Sequence, residues 1–494
     1  MNSAKRPGHH LLDGTIRVFL AEGLLFPTGL LTATFLSRSL GPANYGLFTL
    51  SITLVGGMEW IITSIFARSA IKFVGEAEDW RPVGAAVVRL HLLVSVGAML
   101  LFYLLAEPLA ALLQEPTLAV YLRLCALDIP LFSLAQGHRV ILIGLGGFGQ
   151  RALASAGRWI FRLLFIILLV GLGLSVPGAI LGHIGASLVE LVISRYYIRP
   201  SMFRRSDFPL WQMWGYTLPI FLFTLSQRLF DKLDLWMLKG MGGTAEQAGI
   251  YSAAQNLAMV FSMLALSFSP LLLSTLSRTL RAGEFGAAKQ VSRQALRATF
   301  LTLPIAGLIA GAAAEIIGLI FTPTFSPAAA LLAWLSFGAL AVMVLSVSSS
   351  ILIAAGKPGW TFALGGPLLL LAGLGHYLLI PRLGAEAASA VTAVCAWVGA
   401  LASVAAVYRI WRVLPPAGTC WRSICVCVMA YTLAAVWPTP GWLLLAKLPI
   451  LGLGIGLSFL FLGEFTMAEL AAARALFRWP ATAHRGAVEG LKND

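Results

Sequence analysis

The chain has 494 residues, 59% of them hydrophobic and 11% charged, with a mean hydropathy of +0.85. That composition excludes a soluble globular protein and describes a polytopic helical membrane protein. The net charge of +14 would suggest nucleic acid in a soluble protein, but here it lies mostly in alternate loops and marks one membrane face, so no nucleic-acid partner is expected.

Residues 1–14 carry Lys5, Arg6, His9 and His10 and lead into an apolar run with no small-residue cleavage site, so the first helix is expected to be a retained anchor. At a crossing length of roughly twenty residues, about fourteen spans are expected. The first seven fall near 15–37, 45–66, 84–106, 117–143, 152–174, 177–196 and 212–238. The others fall near 249–274, 296–320, 325–354, 360–380, 384–408, 421–437 and 441–462. With the N-terminus inside, the outer loops hold only Arg38, Lys239 and Arg382, while the inner segments collect nearly all other basic residues. That asymmetry predicts cytoplasmic N- and C-termini. Two inner segments, Arg281 to Leu296 and Phe465 to Trp479, read as amphipathic helices on the inner leaflet. The five cysteines show neither metal spacing nor a disulfide framework. No metal site and no cofactor is expected.

Ile141 to Gly149 returns as Ile351 to Gly359 with five identities in nine positions. Gly41-Pro-Ala-Asn-Tyr-Gly46 likewise corresponds to the stretch from Gly242 to Gly249. An offset of about 205 residues equals six spans, an even number, so the two halves share one orientation about an axis along the membrane normal. The expected division is a six-helix lobe over 1–200, a second over 201–412, two extra helices over 413–464 and a cytoplasmic tail over 465–494. Gly144-x-Gly146-x-x-Gly149 fits the dinucleotide fingerprint, but it joins two spans and not a strand to a helix, so it is read as a tight turn.

The most informative stretch is Gln227-Arg-Leu-Phe-Asp-Lys-Leu-Asp234, with four charges inside an apolar span. Each ionised side chain at the centre of a membrane helix costs roughly 2.5–3.5 kcal/mol, so these groups must be paired or wetted. Gln227, Asp231 and Asp234 recur at helical spacing, and the face they share is expected to line a water-filled path. A self-neutralised cluster between helices is the alternative. No nucleophile–base pair or phosphate-binding loop stands out, so no enzyme is expected.

Arg38-Ser-Leu-Gly-Pro-Ala-Asn-Tyr-Gly-Leu-Phe48 resembles the signature after the first span of Wzx-type polysaccharide flippases, within the multidrug/oligosaccharidyl-lipid/polysaccharide exporter superfamily. Asp231 to Leu238 with Gly249-Ile-Tyr-Ser-Ala-Ala254, and Leu379-Ile-Pro-Arg-Leu-Gly-Ala385, are similar to later stretches of that family. The resemblance implies alternating access by two six-helix lobes moving an undecaprenyl-diphosphate-linked oligosaccharide across the cytoplasmic membrane. It also implies membrane lipids as neighbours and a polysaccharide polymerase or export machinery as a partner.

A diphosphate wants cations in a water-filled lumen, and a glycan wants amides and aromatic rings. The candidate substrate contacts are Arg123, Arg228 and Lys232 for phosphate and Gln227, Gln255 and Asn256 for sugar hydroxyls. Arg17, Arg158 and Arg162 lie nearer the inner mouth, where anchoring to the inner leaflet is the stronger explanation. Asp231, Asp234, Glu22 and Glu59 are candidates to exchange a coupling ion, with salt bridges to neighbouring helices as the alternative. Two other readings remain open on the same architecture: an ion-coupled multidrug extruder and a lipid II flippase.

Overall fold

Apolar spans satisfy their backbone polar groups internally, and all regular elements among the described residues are helices. The computed structural model describes residues 21–201, 225, 228–357, 359–439, 441–466 and 469. The N-terminal segment, Arg17, Gln227 and most of the expected amphipathic tail lie outside the described residues.

In chain order the helices are α1 (Leu25–Glu76), α2 (Trp80–Leu112), α3 (Leu118–Ala126), α4 (Asp128–Gly144), α5 (Phe148–Leu169) and α6 (Ser175–Tyr197). They continue with α7 (residues 228–240), α8 (Ala245–Arg281), α9 (Phe285–Phe300), α10 (Leu303–Gly311), α11 (Ala313–Ile320) and α12 (Ala328–Ala354). The last three are α13 (Gly359–Trp411), α14 (Ala417–Val436) and α15 (Leu444–Phe461).

Ten helical stretches among the described residues are long and apolar enough to cross a bilayer. Three of them, Ala21–Ser64, Phe148–Tyr197 and Gly359–Trp411, are about twice the crossing length. Each is broken at a glycine with positive φ: Gly41 at 71°, Gly173 at 88° and Gly384 at 61°. Only glycine adopts that conformation freely, so the chain turns there instead of running on as one rod. Divided at these points, the ten stretches give thirteen spans, and most of the expected span over 212–238 lies outside the described residues.

The repeat is visible in the same backbone feature. Gly41, Gly146 and Gly173 in the first half answer to Gly242, Gly356 and Gly384 in the second, and all six have positive φ. Gly146 makes the turn between α4 and α5, which is the role expected for the glycine-rich motif.

Hydroxyl groups inside the apolar helices bond back to their own backbone. Thr28 and Thr32 donate to the Leu24 and Thr28 carbonyls at 2.6 and 2.7 Å, which removes the cost of carrying them in lipid. Helix α8 starts at a capping box in which Thr244 and Gln247 satisfy each other's backbone amides at 3.1 Å.

The apolar core shows how the two bundles sit. One cluster joins α1 residues such as Leu36, Tyr45 and Leu50 to Leu235, Tyr251, Ala254 and Phe321 of the second half. Two other clusters stay within one half each. Val74, Val87 and Ile141 pack among α1, α2 and α4, and Leu276, Ile351 and Val407 among α8, α12 and α13.

The bundles therefore share a core at the end carrying Arg38, Gly41 and Phe321. Polar contacts across the shared end follow suit. Arg38 donates to the Leu319 carbonyl at 2.9 Å. Lys239 pairs with Glu115 at 3.3 Å. Asn256 donates to the Tyr45 hydroxyl at 2.9 Å. Arg38 and Lys239 belong to the loops that the charge asymmetry assigns to the outside.

The α14–α15 pair is fixed to the second bundle through α10, where Gly307 and Gly311 leave room only for the backbone of Cys427 and Tyr431. Beyond α15, buried Glu464 accepts from Arg297 at 2.7 Å, Arg422 at 2.8 Å and Thr419 at 2.5 Å, and Glu469 accepts from Arg297 at 2.6 Å.

Burial pushes the Glu464 carboxyl up, but hydrogen bonds from Thr419, Arg422 and Arg297 outweigh it and hold the group below the usual carboxylate range. Arg297, followed by the Thr466 amide, lowers Glu469 from 4.5 to about 2. A depressed folded-state pKa contributes stability above the unfolded value that is lost as pH falls through the folded one. The unfolding temperature in detergent should therefore drop as pH falls from 4.5 to about 2, and drop less in Glu469→Gln.

Candidate functional site

A cavity of about 460 Å³ lies between the bundles and takes its walls from both. From the first half come Phe26, Tyr45, Phe48, Glu59 and Trp60 of α1, Phe132 of α4, Arg158, Trp159 and Arg162 of α5, and His183 of α6. The second half supplies Arg228 and Lys232 of α7, Ser252, Gln255 and Asn256 of α8, and Phe321.

The cations enter as two pairs, Arg158 with Arg162 and Arg228 with Lys232, each spaced four residues apart on one helix. Side chains at i and i+4 share a face, so each bundle presents two positive groups one above the other. The Arg158 guanidinium lies 4.2 Å from the Phe132 ring centroid, and Arg162 lies 4.8 Å from that of Trp159. Aromatic faces thus hold the guanidiniums by cation–π attraction without neutralising them. Lys232 donates to Gln255 at 3.2 Å. Among the described residues, Arg162, Arg228 and Lys232 have no carboxylate at ion-pair distance. Glu59 is the one carboxylate among the described lining residues. The cavity therefore carries an unbalanced positive charge that a polyanion would offset.

Of the expected contacts, Arg228, Lys232, Gln255 and Asn256 line this cavity. Arg123 does not. It pairs with Glu107 at 2.6 Å and lies over the Tyr103 ring, away from the lining.

Of the face expected to line a water-filled path, Gln227 lies outside the described residues and the two acids do not line the cavity. Asp231 is exposed and outside the lining. Asp234 is buried behind Gln255, accepting from Tyr251 at 2.5 Å, from Gln255 at 2.9 Å and from Thr392 at 3.2 Å. The α7 residues that line the cavity are the cations Arg228 and Lys232.

Glu22 is held by Arg139, Arg151 and Ser155 and also lies outside the lining. Glu59 lines the cavity and, with Cys125, Asp128 and His183, a much smaller pocket behind it. No group of three or more His, Cys, Asp or Glu side chains among the described residues is arranged to hold a metal ion.

From the sequence alone, anchoring to the inner leaflet accounts for Arg158 and Arg162 better than substrate contact does. What marks them is Arg158-Trp159-x-x-Arg162, a cation pair wrapped around a tryptophan within an apolar helix. Tyr45 carries no signal of its own beyond its place in the glycine-rich stretch after the first span.

Two bundles with parallel repeats, a joint core at one end and a cationic cavity between them define a multi-pass membrane protein of the transporter type. The lipid II flippase MurJ in an inward closed conformation superposes with a TM-score of 0.68, covering 94% of this chain and 100% of that one at 15% identity. The MATE transporter VcmN of Vibrio cholerae, in its bent form, gives 0.57 over 82% of this chain and 97% of that one at 16% identity. The fold is shared with these two proteins. The family model described as polysaccharide biosynthesis protein matches residues 11–278. The chain belongs to that family. A provisionally named O-antigen transporter of Shigella flexneri is 27% identical over 178 residues, a stretch covering 33% of this chain and 41% of that relative.

Proposed function

We propose that the protein is a flippase that carries an undecaprenyl-diphosphate-linked oligosaccharide across the cytoplasmic membrane by alternating access of its two bundles, with both termini in the cytoplasm. The observation that carries this reading is the pair of cation pairs, one from each bundle, in a single cavity with aromatic walls. A diphosphate would draw on these cations, Trp60 and Trp159 suit sugar faces, and Gln255 and Asn256 suit hydroxyls. The polyprenyl chain stays in lipid. An extruder of organic cations is disfavoured by the sign of the cavity. Of the acids considered for a coupling ion, Glu59 lines the cavity and is kept in that role. A polysaccharide polymerase is the partner that would receive the product.

The test is leaflet exposure of fluorescent undecaprenyl-diphosphate oligosaccharides and of lipid II in proteoliposomes. The intact protein is expected to expose an oligosaccharide on the far side, and Arg228→Ala to reduce the rate at least about tenfold, the scale of one charge-assisted contact. Movement of lipid II alone would reassign the substrate. No movement of any diphosphate lipid, with gradients imposed and the protein folded, would turn the reading toward the extruder.

A further inference from the structure

The cations in the lining differ in how they are held. Arg158 has a carboxylate behind it: its Nη1 lies 3.4 Å from Glu190 Oε2. Glu190 is fully buried on α6 and takes no part in the lining. Its other oxygen accepts from Gln136 Nε2 at 3.4 Å and lies 3.8 Å from Arg139 Nη1, both on α4. Arg139 is shared with Glu22 near the start of α1. A chain of alternating charge thus runs inward from partly exposed Glu22 through Arg139 and buried Glu190 to Arg158, which is 7% exposed and opens on the cavity.

A guanidinium is planar, with five donors in a fixed fork. The Phe132 ring under its face sets the plane, and Glu190 at one edge sets the rotation within that plane. Arg158 Nε is buried without a hydrogen-bond partner, so only the terminal nitrogens remain for the cavity.

We propose that Glu190 is a positioning residue, fixing the Arg158 guanidinium in the orientation that receives the anionic headgroup. The proposal rests on the anion-binding reading of the cavity given above. It differs from simple charge balance in the sign of its effect. By Coulomb's law alone, removing a negative charge behind the wall makes the cavity more attractive to an anion. If Glu190 positions Arg158, the same change weakens binding, because the fork loses its alignment.

Farnesyl diphosphate titrated into the detergent-solubilised full chain by calorimetry separates the two. Arg158→Gln should bind about tenfold more weakly, and Glu190→Gln several-fold more weakly despite the more positive cavity. The double variant should bind no more weakly than Arg158→Gln alone, since the effect of Glu190 passes through Arg158. Glu190→Asp, which keeps the charge, should recover part of the affinity. The double variant also removes both partners of the buried pair, so it remains foldable where Glu190→Gln leaves Arg158 unpaired.

Equal or tighter binding by Glu190→Gln, or losses that multiply in the double variant, would overturn the positioning role and leave the anion reading intact. An intact protein that fails to bind farnesyl diphosphate at all would remove both.

Discussion

Gly46→Val should abolish transport while leaving the protein inserted in the membrane. Gly46 on α1 and Gly249 on α8 meet backbone to backbone across the two bundles. A Cβ on Gly46 would overlap the Ala245 carbonyl oxygen and lie 2.8 Å from the Gly249 amide nitrogen. A Cβ on Gly249 would overlap the Pro42 carbonyl oxygen and lie 2.9 Å from the Gly46 nitrogen. No flexible side chain is there to yield, so the added atoms can be accommodated only by moving one bundle away from the other.

That movement would pull apart the groups closing the same end, where Tyr45 packs against Phe321 and Phe325 at ring separations of 6.5 and 5.8 Å and Lys239 pairs with Glu115. Overpacking of this kind costs about 1–3 kcal/mol, which biases a two-state equilibrium by about 5- to 150-fold. The measurement is cross-linking between cysteines placed at Glu115 and Lys239 in a background without the native cysteines. The yield should fall sharply in Gly46→Val and be unchanged in Gly97→Ala, where an added Cβ meets nothing within 4 Å. Full cross-linking and normal transport in Gly46→Val would mean that this contact does not define a closed state.

The sequence carried the fold in its periodicities. Apolar run length marked the spans, and the recurrence of Gly41 at Gly242 and of Gly146 at Gly356 marked the repeat, because a left-handed turn tolerates little else. The cavity was legible only in part. Arg228 and Lys232 were conspicuous as charges in an apolar span, and Gln255 and Asn256 as amides. The roles of Asp231 and Asp234 were not legible, since i, i+4, i+7 spacing tells which residues share a face but not which neighbour that face meets.

Arg123 shows the same limit. An arginine within a span is paired or wetted, and its partner Glu107 lies 16 positions earlier on another helix. Arg158 was ambiguous for a different reason. Charge counting along the chain cannot distinguish a cation that anchors a loop from one that is turned inward by a carboxylate 32 residues away.

Lys447→Met should be the most destabilising single change in the C-terminal pair of helices. Lys447 is 1% exposed within an apolar span, and its three protons have three acceptors: the two Glu315 oxygens at 2.8 and 2.7 Å and the Ala434 carbonyl at 2.8 Å. Glu315 also accepts from the Thr439 amide at 3.0 Å and its hydroxyl at 3.2 Å. One ammonium thus ties α15 and the end of α14 to α11.

Either partner alone would be a charge buried without compensation, and breaking such a pair from one side costs about 3–5 kcal/mol. Lys447→Met leaves the Glu315 carboxylate with Thr439 only and the Ala434 carbonyl with no donor from this site. Lys447→Met/Glu315→Gln removes both charges and should recover much of the loss. Thermal unfolding in detergent should rank intact protein above the double variant and the double variant above Lys447→Met. If Lys447→Met instead unfolds at the same temperature as the intact protein and loses transport, Glu315 belongs with the groups that exchange an ion and not with those that hold the C-terminal helices in place.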